Sequence, residues 1–309
     1  MATLECTNCF ETIDIVKVRG VMVATCPICF EDIFPAQDNV EIAPALLNNN
    51  DLYSESGGCF EQFYKCFAFL PGIGPKKVVA IKDAGIENWQ QFTAATTIKG
   101  VPQKLVEKTK VEIHLWQEII ASEDLSYIAT HLPSKYHWLL FSGFKNNITY
   151  FDIETTGLSR DYHQITMVGT LLDGHYEVLI DGEGLSAEAL ESIIDKTKMF
   201  VSFNGRGFDI PFLRHVYPQI DWEKPHLDLR FAAASVGHKC GLKQLEQELG
   251  IARNSNVEGV TGYEAVLLWW DYQGGNEGAL ELLKRYLYAD VHNLEKLTPL
   301  IVDKLTAAM

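Results

Sequence analysis

The chain has 309 residues, 47% of them hydrophobic and 22% charged, with a net charge of −15. That is enough for two or three domains with sizeable cores, and the composition is that of a soluble globular protein. No apolar run approaches a membrane span, and the N-terminus lacks the basic-then-apolar pattern of a signal peptide. Seven cysteines are an odd number, and four have metal-ligand spacing, so a secreted disulfide framework is not expected and a reducing, cytoplasmic setting is.

Charge is unevenly spread. Counting Asp, Glu, Lys and Arg, residues 1–60 sum to −7, residues 61–143 to +1 and residues 144–309 to −9. Within the middle segment, residues 65–110 hold eight Lys and three acids. An overall acidic balance argues against a polyanionic partner, but a compact basic module argues for one.

Cys6 and Cys9 are separated by two residues, as are Cys26 and Cys29, with sixteen residues between the pairs. Each pair can present two thiolates from one tight turn, and two such turns complete a tetrahedron around zinc. The Ile- and Val-rich segment between them, broken by Arg19-Gly20, reads as a β-hairpin. This stretch, 1–35, resembles a zinc ribbon with one structural Zn²⁺. Cys59, Cys66 and Cys240 have no such spacing and are expected as core or surface thiols. Residues 36–58, rich in Asn, Ser and Gly, read as a linker.

Residues 60–69 are apolar on a helical period and stop at LPGIGPKK (70–77). A new helical pattern covers 78–82. Gly72 and Gly74 permit a tight turn whose N–H groups can face a phosphate. Lys76 and Lys77 fall in the first turn of the next helix, where cations oppose the helix dipole, and a phosphate would justify them. The stretch resembles a helix-hairpin-helix motif, with a degenerate second copy at KGVPQKLV (99–106), where Pro102 replaces the second glycine. Paired copies in that family bind duplex backbone without reading sequence. Residues 111–120 are mainly helical, and the aromatic run at 136–141 marks a junction. His114, His131 and His137 lack metal spacing and are expected to be structural. The module is assigned to 59–143.

From residue 144 onward strands precede helices. Residues 148–158 run from β-branched and aromatic side chains into DIETTGL (152–158). Side chains alternate along a strand, so Asp152 and Glu154 share one face and Ile153 points to the other. Two adjacent carboxylates repel unless a divalent cation sits between them. Strands are expected at 164–172 and 176–180, joined at Asp173-Gly174 in a hairpin, then a helix at 187–196 and a strand at 199–203. FNGRGFD (203–209) ends in Asp209 at a helix start. YLYAD (286–290) lies in a helical pattern over 279–300, so Tyr286 and Asp290 share a face and Tyr288 does not. Asp228 reads as a structural acid. Strands feeding helices in this order predict an α/β fold, a mixed central sheet flanked by helices.

Asp152, Glu154, Asp209 and Asp290, with Tyr286, resemble the tyrosine subclass of DEDD exonucleases in the ribonuclease-H-like superfamily. GLKQL (241–245), LGIAR (249–253) and GYEA (262–265) look like its YprB branch. The resemblance implies a metal-dependent 3′–5′ exonuclease over 144–309, on DNA, using two Mg²⁺ or Mn²⁺ ions about 4 Å apart. By that resemblance Asp152 bridges both ions, Glu154 and Asp290 hold the first, Asp209 acts partly through water, and Tyr286 orients the attacking water. Thr155, Leu158, Asn204 and Phe208 would contact the terminal nucleotide. One rival is a structure-specific or RNA-directed nuclease, and another is a DNA-binding adaptor with a weak or inactive nuclease domain. Because all four acids and the tyrosine are present, the sequence speaks against the adaptor. No membrane partner is implied.

Overall fold

The computed structural model describes residues 60–144, 146–253 and 260–309, and the backbone of four short strands nearer the N-terminus. Those strands are β1 (Thr3–Glu5), β2 (Thr12–Asp14), β3 (Val16–Val18) and β4 (Val21–Val23), paired antiparallel as β1–β2 and β3–β4. They belong to a unit spanning Met1–Leu52, and the rest of the chain, Tyr53–Met309, forms a second. The four candidate zinc cysteines and the linker lie outside the described residues.

Strand β5 (Ile148–Thr155) is the middle of a five-stranded sheet. Its neighbours are β6 (Ile165–Leu172), followed by β7 (His175–Ile180), on one side, and β8 (Met199–Ser202), followed by β9 (His226–Asp228), on the other. The first three pair antiparallel, while β5, β8 and β9 run parallel. Asp173 and Gly174, both at positive φ, make the tight β6–β7 turn that the Asp-Gly pair predicts. The three-residue β9 has no sequence signature of its own and was not expected.

Alternation sorts the two faces. Phe151 and Ile153 of β5 join Val168, Leu179 and Phe200 in a core covered by helices α6 (Ala187–Ile194) and α7 (Asp209–Val216). Tyr150 points the other way, into a core with Met167, Leu171 and the long helix α11 (Glu277–Ala307). Each such side chain taken from water is worth about 1.5–3 kcal/mol. Helices α8 (Leu229–Ser235), α9 (Leu242–Glu248) and α10 (Gly262–Gln273) pack around α11. Helix α11 is longer than its predicted span and runs on through Pro299, because buried Leu294, Leu297 and Ile301 hold it across the missing hydrogen bond.

The helical module precedes the sheet. Its helices are α1 (Glu61–Lys65), α2 (Pro75–Asp83), α3 (Trp89–Ala94), α4 (Gln103–Ala121) and α5 (Leu125–His131), then a 3₁₀ turn over Ser134–Leu140. Helix α1 is five residues long where the apolar period predicts ten, since Phe63, Cys66, Phe67 and Leu70 are buried by the surrounding helices without a continuous helix. Helix α2 begins three residues earlier than its apolar pattern, with Pro75 at its first position. The two glycine hairpins brace each other. A Cβ on Gly72 (φ +77°) would sit 3.0 Å from Leu105 Cδ1, and one on Gly100 (φ +85°) would sit 3.0 Å from Ala80 Cβ. One continuous core joins this module to the α11 face of the sheet. His137 crosses the junction: its Nδ1 accepts from His226 N–H at 2.9 Å and its Nε2 donates to Leu132 O at 2.9 Å.

One close approach sets the level of α11 on the sheet. Gly169 of β6 pairs directly with Asp152 of β5, and a Cβ there would meet Leu287 Cγ at 2.8 Å. Gly169→Ala therefore overpacks this contact and is expected to lower unfolding stability by about 1–3 kcal/mol. Urea denaturation measures it, and an unchanged midpoint would show that the helix does not depend on the missing side chain.

Candidate metal and active site

Strand β5 delivers two acids to one mouth. Asp152 and Glu154 sit at alternate positions on the α11 face, and a register shift between Glu154 and Thr155 bends the strand where it ends. Helix α11 supplies Asp290 from one turn beyond Tyr286. Ligand oxygens of Asp152, Glu154 and Asp290 all lie within 4.8 Å of one another, with Glu154 and Asp290 buried and Asp152 partly so. Asp209, in the first turn of α7, comes in from the side: its Oδ1 accepts Ile153 N–H at 3.1 Å. The structure thus gathers Asp152, Glu154, Asp209, Tyr286 and Asp290 at one place.

Burying like charges together is costly, and the titration of each group records it. Burial pushes the Asp152 carboxyl well above the usual range, and the charges of Asp209, Asp290 and Glu154 push it further. Glu154 is raised for the same reasons, by burial first and then by Asp290 and Asp209. Asp209 is pushed up to about 7, mainly by burial, against the Ile153 N–H that favours its charge. Asp290 is raised by burial and held back chiefly by Arg253. Tyr286 is buried, and burial together with Asp290, Glu154 and Asp152 raises its hydroxyl, so it stays a neutral donor.

Two cations flank the acids, and no role was assigned to either from the sequence. Arg253 bridges α9 and α11: its Nε and Nη2 donate to Glu246, the second at 2.8 Å, and Nη2 forms an ion pair with Asp290 Oδ1. Among the described residues, Arg253 Nη1 has no hydrogen-bond partner. Asn293 Nδ2 completes the Glu246 set at 3.0 Å. Lys243 Nζ lies 5.1 Å from the Tyr286 ring centroid and lowers the Glu154 carboxyl. The signal for both was at hand: they stand as the lone cations of the GLKQL and LGIAR stretches, beside Leu242, Leu245, Leu249 and Ile251.

The other candidates are spread around the mouth. Thr155 Oγ1 donates to Gly157 O at 2.7 Å, fixing the turn after the strand. Leu158 is 86% exposed. Asn204 has φ +70°, its N–H donates to Asp228 at 2.8 Å and its Oδ1 accepts from Arg230 at 2.7 Å, so its side chain holds the loop. Phe208 is half-buried against Phe212. Asp228 accepts the N–H groups of Asn204, Arg206 and Arg230, as a structural acid does. Gly72, Gly74, Lys76 and Lys77 belong to the helical module and not to this mouth. Lys77 Nζ donates back to Gly72 O at 2.6 Å, while among the described residues no side-chain hydrogen bond or ion pair engages Lys76.

Residues 149–302 match the family model RNase_H_2, described as the RNase_H superfamily. No curated protein matches the chain. Similar solved structures include the family B DNA polymerase of the hyperthermophilic archaeon Pyrobaculum calidifontis, at 17% identity and TM-score 0.42, covering 50% of this chain and 25% of the polymerase. The chain thus spans a quarter of that protein's length. NrnC of Brucella melitensis bound to pGG is similar at 19% identity and TM-score 0.39, over 53% of this chain and 76% of NrnC. The same protein with bound Mg²⁺ gives 19% and 0.38 over the same shares. The segment that builds the sheet and carries all four clustered acids, residues 149–302, is a domain of the RNase H superfamily.

Proposed function

We propose that residues 144–309 are a divalent-metal-dependent 3′–5′ exonuclease acting on nucleic acid, with DNA as the preferred substrate. The observation that carries this reading is the set of three carboxylates within 4.8 Å, Asp152, Glu154 and Asp290, with the Tyr286 hydroxyl beside them. The donor set fits hard cations: all its ligands are carboxylate oxygens, and none is thiolate or imidazole. Mg²⁺ or Mn²⁺ held by Asp152, Glu154 and Asp290, with Asp209 alongside, would neutralise phosphate charge and activate water. Tyr286, neutral and rigid on α11, donates a hydrogen bond that can fix the attacking water, and Arg253 holds Asp290 in place.

The remaining assignments follow the same reading. The braced glycine hairpins present Gly74 N–H and Lys76 toward a DNA backbone. Thr155, Leu158, Asn204 and Phe208 rim the terminal nucleotide. Cys6, Cys9, Cys26 and Cys29 would hold one structural Zn²⁺, which the zinc content of the intact chain decides.

Metal should register in stability. A carboxyl whose folded-state value is raised, as at Asp209, stabilises fully below the usual carboxylate range and loses that contribution as pH rises through about 7. Metal-free protein is therefore expected to melt at lower temperature at pH 8 than at pH 5.5, and Asp209→Asn to flatten that dependence. Mg²⁺ at 100 times its dissociation constant adds about 2.7 kcal/mol, or roughly 5–10 °C, at pH 8 and less at pH 5.5. Equal melting curves with Mg²⁺ and EDTA at pH 8 would remove the metal from this site.

Catalysis separates the two kinds of residue. Asp152→Asn should slow release of a 3′ label by about 10³-fold or more. Tyr286→Phe should slow it by roughly 10–10³-fold, the scale of one oriented hydrogen bond. Full activity in Asp152→Asn leaves the adaptor reading in place of the nuclease. Labels at the 5′ end, duplexes and RNA strands in the same assay report polarity and substrate.

The module is tested by salt. Lys76→Ala with Lys77→Ala should weaken duplex binding alike across sequences and flatten its salt dependence by up to about 2 in log–log slope. An unchanged slope means the hairpins only pack.

A further inference from the structure

A second concave surface is a cleft of about 520 Å³ that none of the acids Asp152, Glu154, Asp209 and Asp290 lines. Four cations line it, Arg160, Arg206, Arg214 and Lys224, against two acids, Asp161 and Glu223. Glu223 is already paired with Arg214 at 2.7 Å. No side-chain hydrogen bond or ion pair engages Arg160, Arg206 or Lys224 among the described residues. Two buried imidazoles, His137 and His226, also line the cleft and are committed to the protein: His226 Nε2 meets Ser202 Oγ at 2.8 Å, and burial holds both rings neutral. The positive charge of the cleft therefore belongs to its arginines and lysine, in a chain of net charge −15.

The cleft and the mouth share helix α7 and the loop before it. Residues 204–208 lead from β8 into α7, whose Asp209 faces the carboxylate cluster while Ile210 and Arg214 line the cleft. That loop is fixed by Asp228, which accepts the Asn204 and Arg206 N–H groups at 2.8 and 3.1 Å. The other wall is the loop 156–163 after β5. It supplies Arg160, and two residues further on Tyr162 stands 87% exposed, with no ring contact of its own among the described residues. The loop is held beneath, where a Cβ on Gly157 would fall 2.4 Å from the His163 ring.

We propose that this cleft tracks the phosphates of a single-stranded nucleic acid whose end lies at the carboxylate cluster, with Tyr162 stacking on one of its bases. Guanidinium groups match phosphate oxygens, and a free aromatic ring takes an unpaired base of any sequence. A duplex offers its backbone but no open base face, so the exposed ring selects the single strand. The proposal rests on the nuclease reading for what the strand is doing there.

Binding measured in EDTA keeps the two apart, because nothing is hydrolysed. The probes are a fluorescein-labelled single strand about 12 nucleotides long, a duplex of equal length, and a fluorescent nucleoside monophosphate, all with the full chain. Arg160→Ala with Arg206→Ala should weaken the single strand about tenfold and reduce its log–log salt slope by about 1.4, for two phosphates. Arg160→Lys with Arg206→Lys should keep the slope. Tyr162→Ala should weaken the single strand about tenfold, leave the slope, and leave the duplex unaffected. Melting curves confirm that these surface changes fold. Unchanged strand affinity and slope in the double alanine variant overturn the proposal. So does an equal loss for the monophosphate, which would make the cleft a mononucleotide site. Inactivity of the parent on every strand would sink the nuclease reading alone.

Discussion

Four carboxylates in one buried mouth are the constraint that shapes this domain. Ligand oxygens of Asp152, Glu154 and Asp290 lie within 4.8 Å of one another, and Asp209 stands beside Asp152, so their charges repel. The fold cannot relieve this by moving them apart, because each is fixed on a different element. Asp152 and Glu154 are locked by the strand period, Asp209 by the Ile153 N–H, and Asp290 by a helix packed along its length. What relief the protein supplies is partial. Arg253 serves Glu246 and Asp290 together, and Lys243 offsets Glu154. All four carboxyls stay raised, so the uncompensated charge points to cations from solution.

Such a cluster holds its geometry only on rigid supports. Asp152 and Gly169 are cross-strand partners, and the missing side chain at Gly169 lets Leu287 settle onto the sheet at that level. Leu287 lies between Tyr286 and Asp290 on the same helix. One glycine thereby fixes the depth at which the tyrosine and the last acid meet the first two. A side chain there would have to be accommodated by the helix that carries half of the mouth.

The legible part of this architecture was written in local periods. The two-residue spacing of Asp152 and Glu154 and the four-residue spacing of Tyr286 and Asp290 each name a face, and the Asp173-Gly174 turn names a hairpin. What the sequence hid is made by distance. Arg253 meets Asp290 from 37 positions away while paired with Glu246, and no period announces a buried ion pair of this kind. Strand β9 is three residues of backbone pairing, too short for a pattern. The helical reading of residues 60–69 held only over Glu61–Lys65 because apolar spacing reports burial, and beyond it the chain buries its aromatics in short turns. The glycine hairpins were legible as turns, whereas their mutual bracing through Leu105 and Ala80 was not.

The distribution of charge ties these parts together. A chain at −15 repels a polyanion at long range, and salt at physiological strength screens that repulsion beyond about 8 Å. Inside that distance only local charge counts. The helical module carries eight lysines against three acids over 65–110, and the cleft beside α7 carries four cations against two acids. Both are positive islands in an acidic chain, and the cluster of acids would repel phosphate unless divalent ions filled it. On the proposed reading, a strand held by the islands alone would meet a mouth that repels it, and metal would reverse the sign of that last step. The acidic balance of the whole chain, which at first argues against nucleic acid, would on that reading act as selection: only a strand long enough to reach a basic surface would be kept near the metal.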